Sequence, residues 1–411
     1  MGQTGEVSSP SPILSVLQQT CRALLAIRGD ESTINLATQV ALRYDTLEDA
    51  ERRVFLHWLV DELSPDPEAL ERAVAAYGAA PGPETAQLLG EAAEAPRQAL
   101  FRAINTAPGG TAAVMRMRAD CLVAMSDDPA LRVVDHDSAH LLGSWFNRGF
   151  LELQSIDWQT PAAVLEKLIE YEAVHQIDGW DDLHRRLAAD RRCFGFFHPA
   201  LPGEPLIFIE IALTHGLAGS IQDLLNQAPP ADGVDPDVDT AIFYSITNCQ
   251  AGLTGIPLGS MLIKQVTEEL QTELPQLGTF STLSPIPGYH RWVDTTGGRL
   301  SPERQRLVLQ GDDPIDDGAR DAVLASCAHY LLHAKRRVQP ADPVARFHLR
   351  NGARVERINW AGDRSAKGRA ESYGMLVNYL YDPDQLADNH ISYVNDFVVA
   401  HSPAVAQLTE K

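Results

Sequence analysis

Hydrophobic positions recur at helical spacing through the first half of the chain. In residues 46–63 the apolar side chains fall on one face of a helix. The same period returns in 160–175 and in 179–190, each with polar residues on the opposite face. The spacing therefore predicts one helix after another from residue 12 to about residue 188.

The pattern changes near Arg191, where apolar runs rich in β-branched residues replace the helical period. Strands are predicted at 204–214, 241–249, 278–283, 353–360 and 375–381, and amphipathic helices at 258–274 and 316–337. We therefore predict an α+β protein with an all-helical N-terminal domain, 1–188, and a mixed α/β domain, 189–411.

The charge, the apolar runs and the cysteines of the chain limit which binding partners and which cellular compartment are plausible. The chain has 411 residues and a net charge of -21, which disfavours binding to nucleic acid or to an anionic membrane. No apolar run approaches the ~20 residues that a membrane span needs. The five cysteines are scattered and form no CxxC pair, as is typical of reduced thiols inside the cell. With no signal-peptide pattern at the start, we expect a cytoplasmic protein.

A glycine-bearing loop, "QAGLTGIPLG" (250–259), joins a predicted strand to a predicted helix. Gly252 and Gly255 allow the backbone to approach a ligand closely. The following helix would begin near Leu258, and its free N–H groups suit a phosphate. The loop matches neither a dinucleotide fingerprint nor a P-loop, so a flexible turn is the alternative.

A serine followed by two prolines stands at the end of a predicted strand, in "FSTLSPIPG". Because proline cannot donate to a sheet ladder, the strand should end by Ser284. Pro285 and Pro287 stiffen the next turn and would hold the hydroxyl in one place. The alternative is a serine that only caps a turn. The chain has no GxSxG elbow, which argues against a hydrolase serine.

His348 lies in "RFHLRNGARVERINW" (346–360), which we interpret as a β-like stretch before a turn at Asn351. It is either an acid/base or a half-buried strand histidine. Alternating arginines nearby could share one strand face, either solvated or holding phosphate: Arg350, Arg354 and Arg357. We interpret residues 362–370 as a basic loop.

The segment "HDSAH" would place His136 and His140 on one helix face, as in zinc-binding HExxH helices. Asp137 stands where those helices carry glutamate, and no third ligand is evident. We therefore predict no metal site.

Together these segments resemble the malonyl-CoA decarboxylase family over residues 135 to 381, in the family's order. The matching stretches are "WFNRGFLELQSIDWQTPAAVLEKLIEYEAVH", "RRCFGFFHPALPGEPLIFIEIALT", "AIFYSITNCQAGLTG", "LIKQVTEELQTELPQLGTFSTLSPIPG" and "DPVARFHLRNGARVERINWAGD". The first 130 residues are similar only in being helical.

The resemblance implies a helical oligomerisation domain, giving a homodimer or homotetramer, and a catalytic domain like the GCN5-related acetyltransferases (GNAT fold). It assigns catalysis to Ser284, His348 and Tyr381. The implied coenzyme A-binding residues are Gly252, Thr254, Gly255, Ile256, Pro257, Leu258, Gly259 and Ser260. The family's functional glutamate aligns with Pro257, so this chain has a proline in place of that glutamate.

The implied reaction converts malonyl-CoA to acetyl-CoA and CO2 without a metal or an organic cofactor, coenzyme A being part of the substrate. Ser284 would bind the malonyl carboxylate and relay a proton, His348 would donate it, and Tyr381 would support both. The setting would be fatty acid and malonate metabolism. Two alternatives stay open: a GNAT-fold N-acyltransferase, which needs an amine acceptor, and a non-catalytic sensor of malonyl-CoA.

Overall fold

The computed structural model describes residues 11–27, 30–231, 233–256, 258–296, 299–303 and 317–409. Its helices are α1 (Pro12–Ala26), α2 (Asp30–Asp45), α3 (Asp49–Asp61), α4 (Pro67–Ala79), α5 (Pro83–Ala93), α6 (Pro96–Asn105), α7 (Gly110–Ala124), α8 (Arg132–Trp145), α9 (Ala162–Tyr171), α10 (Trp180–Arg186), α11 (Ile221–Asn226), α12 (Gly259–Glu273), α13 (Tyr289–Thr296), α14 (Asp317–His333), α15 (Pro343–Arg350), α16 (Ala366–Ser372), α17 (Leu386–Asp396) and α18 (Pro403–Thr409). Its strands are β1 (Glu152–Ile156), β2 (Arg191–Phe197), β3 (Ile207–Thr214), β4 (Thr240–Asn248), β5 (Thr279–Thr282), β6 (Ser284–Pro285), β7 (Lys335–Arg336), β8 (Gln339–Pro340), β9 (Arg354–Asn359) and β10 (Leu376–Leu380).

The chain divides into two compact units. The first comprises Met1–Glu152, Phe197–Glu204 and Gln250–Pro257, and the second comprises Leu153–Phe196, Pro205–Cys249 and Leu258–Lys411. The division follows Glu152 and not residue 188, where the sequence pattern placed it. Helices α9 and α10 therefore belong to the second unit, in which Arg186 of α10 donates to Glu210 of β3 at 3.0 Å.

The first unit is helical, as the apolar period predicted. Its core side chains, such as Leu17, Val40 and Phe55, have no exposed surface. The buried carboxylate of Asp137 accepts from Arg97 Nε at 2.6 Å, which gives this residue of "HDSAH" a structural partner. Across the described residues, no cluster of three or more His, Cys, Asp or Glu side chains could hold a metal ion.

The second unit is built on one mixed sheet with strand order β1-β2-β3-β4-β5-β10-β6, and β9 also pairs with β10. β3 and β4 are buried almost throughout, which explains their continuous apolar sequences. β4 pairs with β5 in parallel, from Thr240↔Thr279 to Phe243↔Thr282. Beyond Phe243, β4 continues to Asn248 while β5 ends, so the two strands part at that point.

β6 continues β5 after an interruption at Leu283. Ser281 is opposite Leu380 and Ser284 is opposite Val377, so one register runs along β10 through both segments. The prediction that the strand stops at Ser284 was wrong, because pairing extends through Pro285. A proline is tolerated there because only its N–H is missing, and its carbonyl can still face a neighbouring strand.

The predicted fold class, α+β with a helical first part and a mixed α/β second part, is confirmed. Within the part of the chain that the structure describes, no helix has both the length and the apolar composition needed to cross a membrane.

Candidate active site

His348 is carried by a short helix and not by the predicted strand. Asp342 is the N-cap of α15, accepting from the backbone N–H of Val344 and of Ala345, each at 2.9 Å, with Pro343 as the first helical residue. This Asp-Pro start is a recognised helix signal. It would have identified α15 from the sequence, where the eight-residue length hid the helical period.

Three side chains predicted to act in catalysis lie in one hydrogen-bonded row. Ser284 Oγ is 3.2 Å from Nε2 of His348, and Nδ1 of the same ring is 2.7 Å from Tyr381 Oη. The imidazole stacks on Tyr379 with 4.5 Å between ring centroids. The structure thus joins residues that are far apart in sequence, while their catalytic roles stay predictions.

Burial makes this row electrically neutral at ordinary pH. His348 is 3% exposed and Tyr381 4% exposed. Desolvation lowers the pKa of His348 to about 3, because removing water disfavours the imidazolium. The same cause raises the pKa of Tyr381 well above its usual value. The imidazole is therefore uncharged and the phenol keeps its proton.

Thr282 completes the row, although its spacing in the sequence gave no sign of this. Ser284 Oγ donates to Thr282 Oγ1 at 2.8 Å, and the Tyr379 backbone N–H donates to the same oxygen at 3.1 Å. The Thr282 carbonyl accepts from Asn378 Nδ2 at 2.7 Å. Hydrogen bonds to side chains thus replace backbone hydrogen bonds of the sheet where β5 is interrupted. The hydrogen bond to Thr282 also orients the Ser284 hydroxyl beside His348.

Ser284 and His348 face a cavity of about 250 Å³ beside the free edge of β4. Its other lining residues are Val174, Ile207, Phe243, Tyr244, Ser245, Ile246, Asn248, Pro285, Pro343, Val344 and Phe347. This lining contains no Lys, Arg, Asp or Glu, so among the described residues around the cavity only His348 can become cationic.

A buried carboxylate behind β4 fixes one wall of the cavity. Glu172 accepts from Ser245 Oγ at 2.8 Å and from Thr247 Oγ1 at 3.0 Å, both on β4. It also accepts from the backbone N–H of Val174 at 2.9 Å and of His175 at 2.8 Å. One side chain thus ties the free half of β4 to the segment that follows α9, a link that periodicity could not reveal.

The glycine-bearing loop is anchored within the first unit. Arg118 donates to the Gly252 carbonyl at 2.6 Å and to the Thr254 carbonyl at 2.9 Å. A Cβ on Gly252 would lie 2.2 Å from the Met115 carbonyl oxygen. Packing against α7 therefore requires a glycine at position 252, and the predicted contact of its backbone with a ligand stays a prediction. Arg118 itself was missed, since it lies far from the loop in sequence.

Gly255 differs, because its φ is +81° and nothing lies within 4 Å of the position a Cβ would take. Ile256 N–H donates to the Leu253 carbonyl at 3.0 Å. Pro257 lies outside the described residues.

α12 begins at Gly259, with Ser260 in its first turn. Leu258 is the N-cap and provides no side-chain cap. The first N–H groups of an α-helix have no partner within the helix, so a phosphate contact at this helix start stays a prediction.

The predicted arginine face forms only in part. Arg350 ends α15 and therefore does not share a strand with the other two arginines. A register shift in β9 leaves Arg354 opposite Leu380 and Arg357 opposite Asn378, which places these two arginines on the same face of the sheet. Arg354 pairs with Asp382 at 3.1 Å. In the loop predicted to be basic, Lys367 Nζ donates to the Ala173 carbonyl at 2.6 Å.

Comparison with known families covers most of the chain. The sequence model described as "Malonyl-CoA decarboxylase C-terminal domain" matches residues 149–411, and the corresponding N-terminal domain matches residues 63–146. The mitochondrial malonyl-CoA decarboxylase of Rattus norvegicus is 35% identical over 344 residues, which is 75% of this chain and 70% of that protein. The Anser anser anser protein of the same name is 37% identical over 335 residues, 72% and 66% respectively.

Two solved structures resemble the whole chain. The malonyl-CoA decarboxylase of Rhodopseudomonas palustris has a TM-score of 0.88 and 44% identity, covering 96% of this chain and 99% of that one. The enzyme of the same name from Agrobacterium vitis has a TM-score of 0.89 and 45% identity, covering 96% and 100%.

Proposed function

This chain belongs to the malonyl-CoA decarboxylase family, and we propose that it converts malonyl-CoA to acetyl-CoA and CO2 with Ser284 and His348 handling the proton. The observation that carries this proposal is their hydrogen bond at the wall of an uncharged cavity. A β-keto-type carboxylate needs such an environment, because its negative charge must leave the carboxyl group.

The thioester arm has a natural place along β4. Among the residues that the structure describes, no strand pairs with Tyr244 to Asn248 on the β5 side, and all of these residues except Thr247 line the cavity. Free N–H and C=O groups of a strand edge can hydrogen-bond an extended amide chain. Coenzyme A carries such a chain between its nucleotide and its sulfur, so the acyl group would reach Ser284.

Carbon–carbon cleavage follows from desolvation. Inside the cavity the malonyl carboxylate loses its hydrating water and meets no Lys or Arg among the lining residues. The localised charge of the carboxylate is therefore disfavoured relative to the transition state, in which the negative charge is spread towards the thioester oxygen. The C–C bonding pair passes into the C2–C1 bond, the thioester oxygen becomes an enolate oxygen, and CO2 leaves. The thioester carbonyl is itself the electron sink, so we propose that no metal or organic cofactor takes part.

Protonation of C2 completes the reaction. The pKa of His348 is about 3 in the free protein, but a carboxylate bound beside it favours the imidazolium. Substrate binding would therefore bring in one proton. When CO2 leaves, the negative charge moves to the enolate. The imidazolium can then pass its proton through the Ser284 hydroxyl to C2, which restores the neutral row.

A product assay separates this proposal from the two alternatives. Malonyl-CoA labelled in its free carboxyl is incubated with the protein, without any amine and then with a panel of amines. The proposal predicts labelled CO2 and equimolar acetyl-CoA in both cases. Labelled malonyl amides formed only with an amine would support an N-acyltransferase, and saturable binding without any product would support a sensor.

The binding site for coenzyme A, the oligomeric state and the cellular compartment are further parts of this proposal. We propose that the loop residues from Thr254 and the first turn of α12, through Ser260, bind the coenzyme A pyrophosphate. We also propose a homo-oligomer formed through the helical unit, dimeric or tetrameric, acting in the cytoplasm in fatty acid or malonate metabolism. Light scattering of the purified chain tests the oligomer.

A further inference from the structure

The Ser284 hydroxyl has one proton, and the geometry directs it away from His348. Ser284 Oγ donates to Thr282 Oγ1 at 2.8 Å. A hydroxyl can donate only one hydrogen bond but can accept two. In its contact with Nε2 of His348 at 3.2 Å, the serine oxygen must therefore be the acceptor. The Nε2 atom consequently carries a proton in the resting protein.

The other ring nitrogen is fixed by the same reasoning. A neutral imidazole has one N–H and one bare nitrogen, so Nδ1 is the acceptor in its 2.7 Å contact with Tyr381 Oη. All donors then point one way, from Tyr381 to His348 to Ser284 to Thr282. The backbone N–H of Tyr379, 3.1 Å from Thr282 Oγ1, helps to hold this last acceptor in place.

The two ends of the row meet different cavities. Ser284 and His348 line the 250 Å³ cavity proposed for the acyl group. Tyr381 lines a separate cavity of about 610 Å³. The charged residues around this second cavity include Lys264, Glu268 and Arg350. A space of this size with charged groups around it can hold water.

We propose that Thr282 is a positioning residue that sets the direction of proton flow, with protons taken up at Nδ1 of His348 through Tyr381 and delivered from Nε2 through Ser284. This inference rests on the proposed decarboxylation. With Nε2 already protonated, Nδ1 is the one ring atom able to accept a proton. That nitrogen faces Tyr381, whose cavity is separate from the one that holds the substrate.

The proton balance closes over one turnover. On substrate binding, Tyr381 gives its proton to Nδ1 and regains one from water in the second cavity, so His348 becomes the imidazolium. After CO2 leaves, Ser284 gives its hydroxyl proton to C2 and takes the Nε2 proton. The ring then has its single proton at Nδ1. The resting tautomer returns after the product has left. Nε2 takes the Ser284 hydroxyl proton, which water in the emptied first cavity replaces, and Nδ1 returns its proton to Tyr381, whose own proton passes to water in the second cavity.

The resting tautomer is measured directly, without any turnover. Nitrogen-15 NMR on histidine-labelled, ligand-free wild-type protein, with His348→Asn to assign the signal, distinguishes the two neutral tautomers. The structure predicts the Nε2–H form at pH 7. The Nδ1–H form would overturn the proposal whatever the protein's activity, so this result is independent of whether malonyl-CoA is the substrate.

Two variants of Thr282 test the consequence for catalysis. Thr282→Val keeps the shape and removes the acceptor, and Thr282→Ser keeps the acceptor and removes a methyl group. We expect kcat to fall roughly 10-fold or more in Thr282→Val, the scale of one lost buried hydrogen bond, with KM little changed and the Nδ1–H form appearing. Thr282→Ser should restore the wild-type tautomer and kcat.

Equal losses in the two variants would contradict a directing role and indicate that Thr282 only supports the sheet. A Thr282→Val protein that fails to fold leaves the wild-type tautomer and Thr282→Ser as the deciding measurements. If no variant and no wild-type preparation decarboxylates malonyl-CoA, the proposed function has failed, while the Nε2–H tautomer can still be found.

Discussion

Tyr381 Oη lies 2.7 Å from Nδ1 of His348, on the ring edge opposite the nitrogen that faces Ser284. Both nitrogens of this buried ring are therefore engaged, and neither contact is to a charged group. This relationship suits a proton carrier between two hydroxyls, in contrast to a histidine oriented by a carboxylate, which would stabilise the imidazolium when it forms.

The Ser284→Ala variant should turn over malonyl-CoA roughly 10²–10⁴-fold more slowly, the usual range for a positioned proton-transfer group. Its unfolding temperature should change little, because one hydroxyl is lost beside a cavity. The matched control is Ser281→Ala, which removes an equally buried hydroxyl that donates to the Tyr379 carbonyl at 3.1 Å. Near-normal turnover in Ser284→Ala would refute the assignment.

The His348→Asn variant should still bind acetyl-CoA but lose most decarboxylation. The ring contacts the acyl end of the proposed site, so the nucleotide end should be unaffected. Calorimetric titration with acetyl-CoA checks this, with the exposed His401→Asn as control. If a folded His348→Asn no longer binds acetyl-CoA, His348 is a binding residue and the proton comes from another group.

Stability against acid should also depend on His348. Its pKa is lowered from 6.5 to about 3, so between these values the unfolded chain binds a proton here that the folded chain does not. Unfolding free energy therefore falls as pH decreases through this window, by about 1.4 kcal/mol per pH unit. Urea titrations from pH 7 to pH 4 should show a shallower decline for His348→Asn. Parallel declines would mean that the ring is already protonated in the fold.

A fourth prediction concerns the loop at Gly255, whose φ of +81° is unfavourable for a β-branched residue. Gly255→Val should lower kcat/KM for malonyl-CoA but much less for malonyl-pantetheine, which has no pyrophosphate. Gly278→Val is the control, because Gly278 has comparable open space and no positive φ. An equal loss on both substrates would place the pyrophosphate elsewhere.

Long periodic segments were the part of the fold that the sequence predicted well. The apolar stripe of residues 258–274 became α12, and the β-branched run ending at Thr214 became β3. Such patterns report which side of an element is buried, and burial dominates the stability of long elements. The serine and histidine of the site were also predicted, from proline punctuation and from family motifs.

What could not be predicted depends on contacts between distant segments. The sequence around Thr282 is that of an ordinary strand, and its role depends on hydrogen bonds from Ser284 and from the Tyr379 backbone, which only the folded structure shows. The sequence around Arg118 suggests a charged residue on the surface of a helix, whereas in the structure Arg118 donates a hydrogen bond to the Gly252 carbonyl. No periodic pattern encodes these bonds, since each is made by one side chain reaching a part of the chain that folding brings near.

The most direct test is decarboxylation of malonyl-CoA by the purified protein in deuterium oxide, followed by mass analysis of the acetyl group and quantification of CO2. The account predicts one CO2 per acetyl-CoA and one solvent deuterium in each new methyl group, beyond any that uncatalysed C2 exchange places in the substrate. It also predicts that Ser284→Ala loses nearly all of this product under the same conditions. Recovery of malonyl-CoA unchanged, release of malonate and free coenzyme A, or full activity in Ser284→Ala would contradict it.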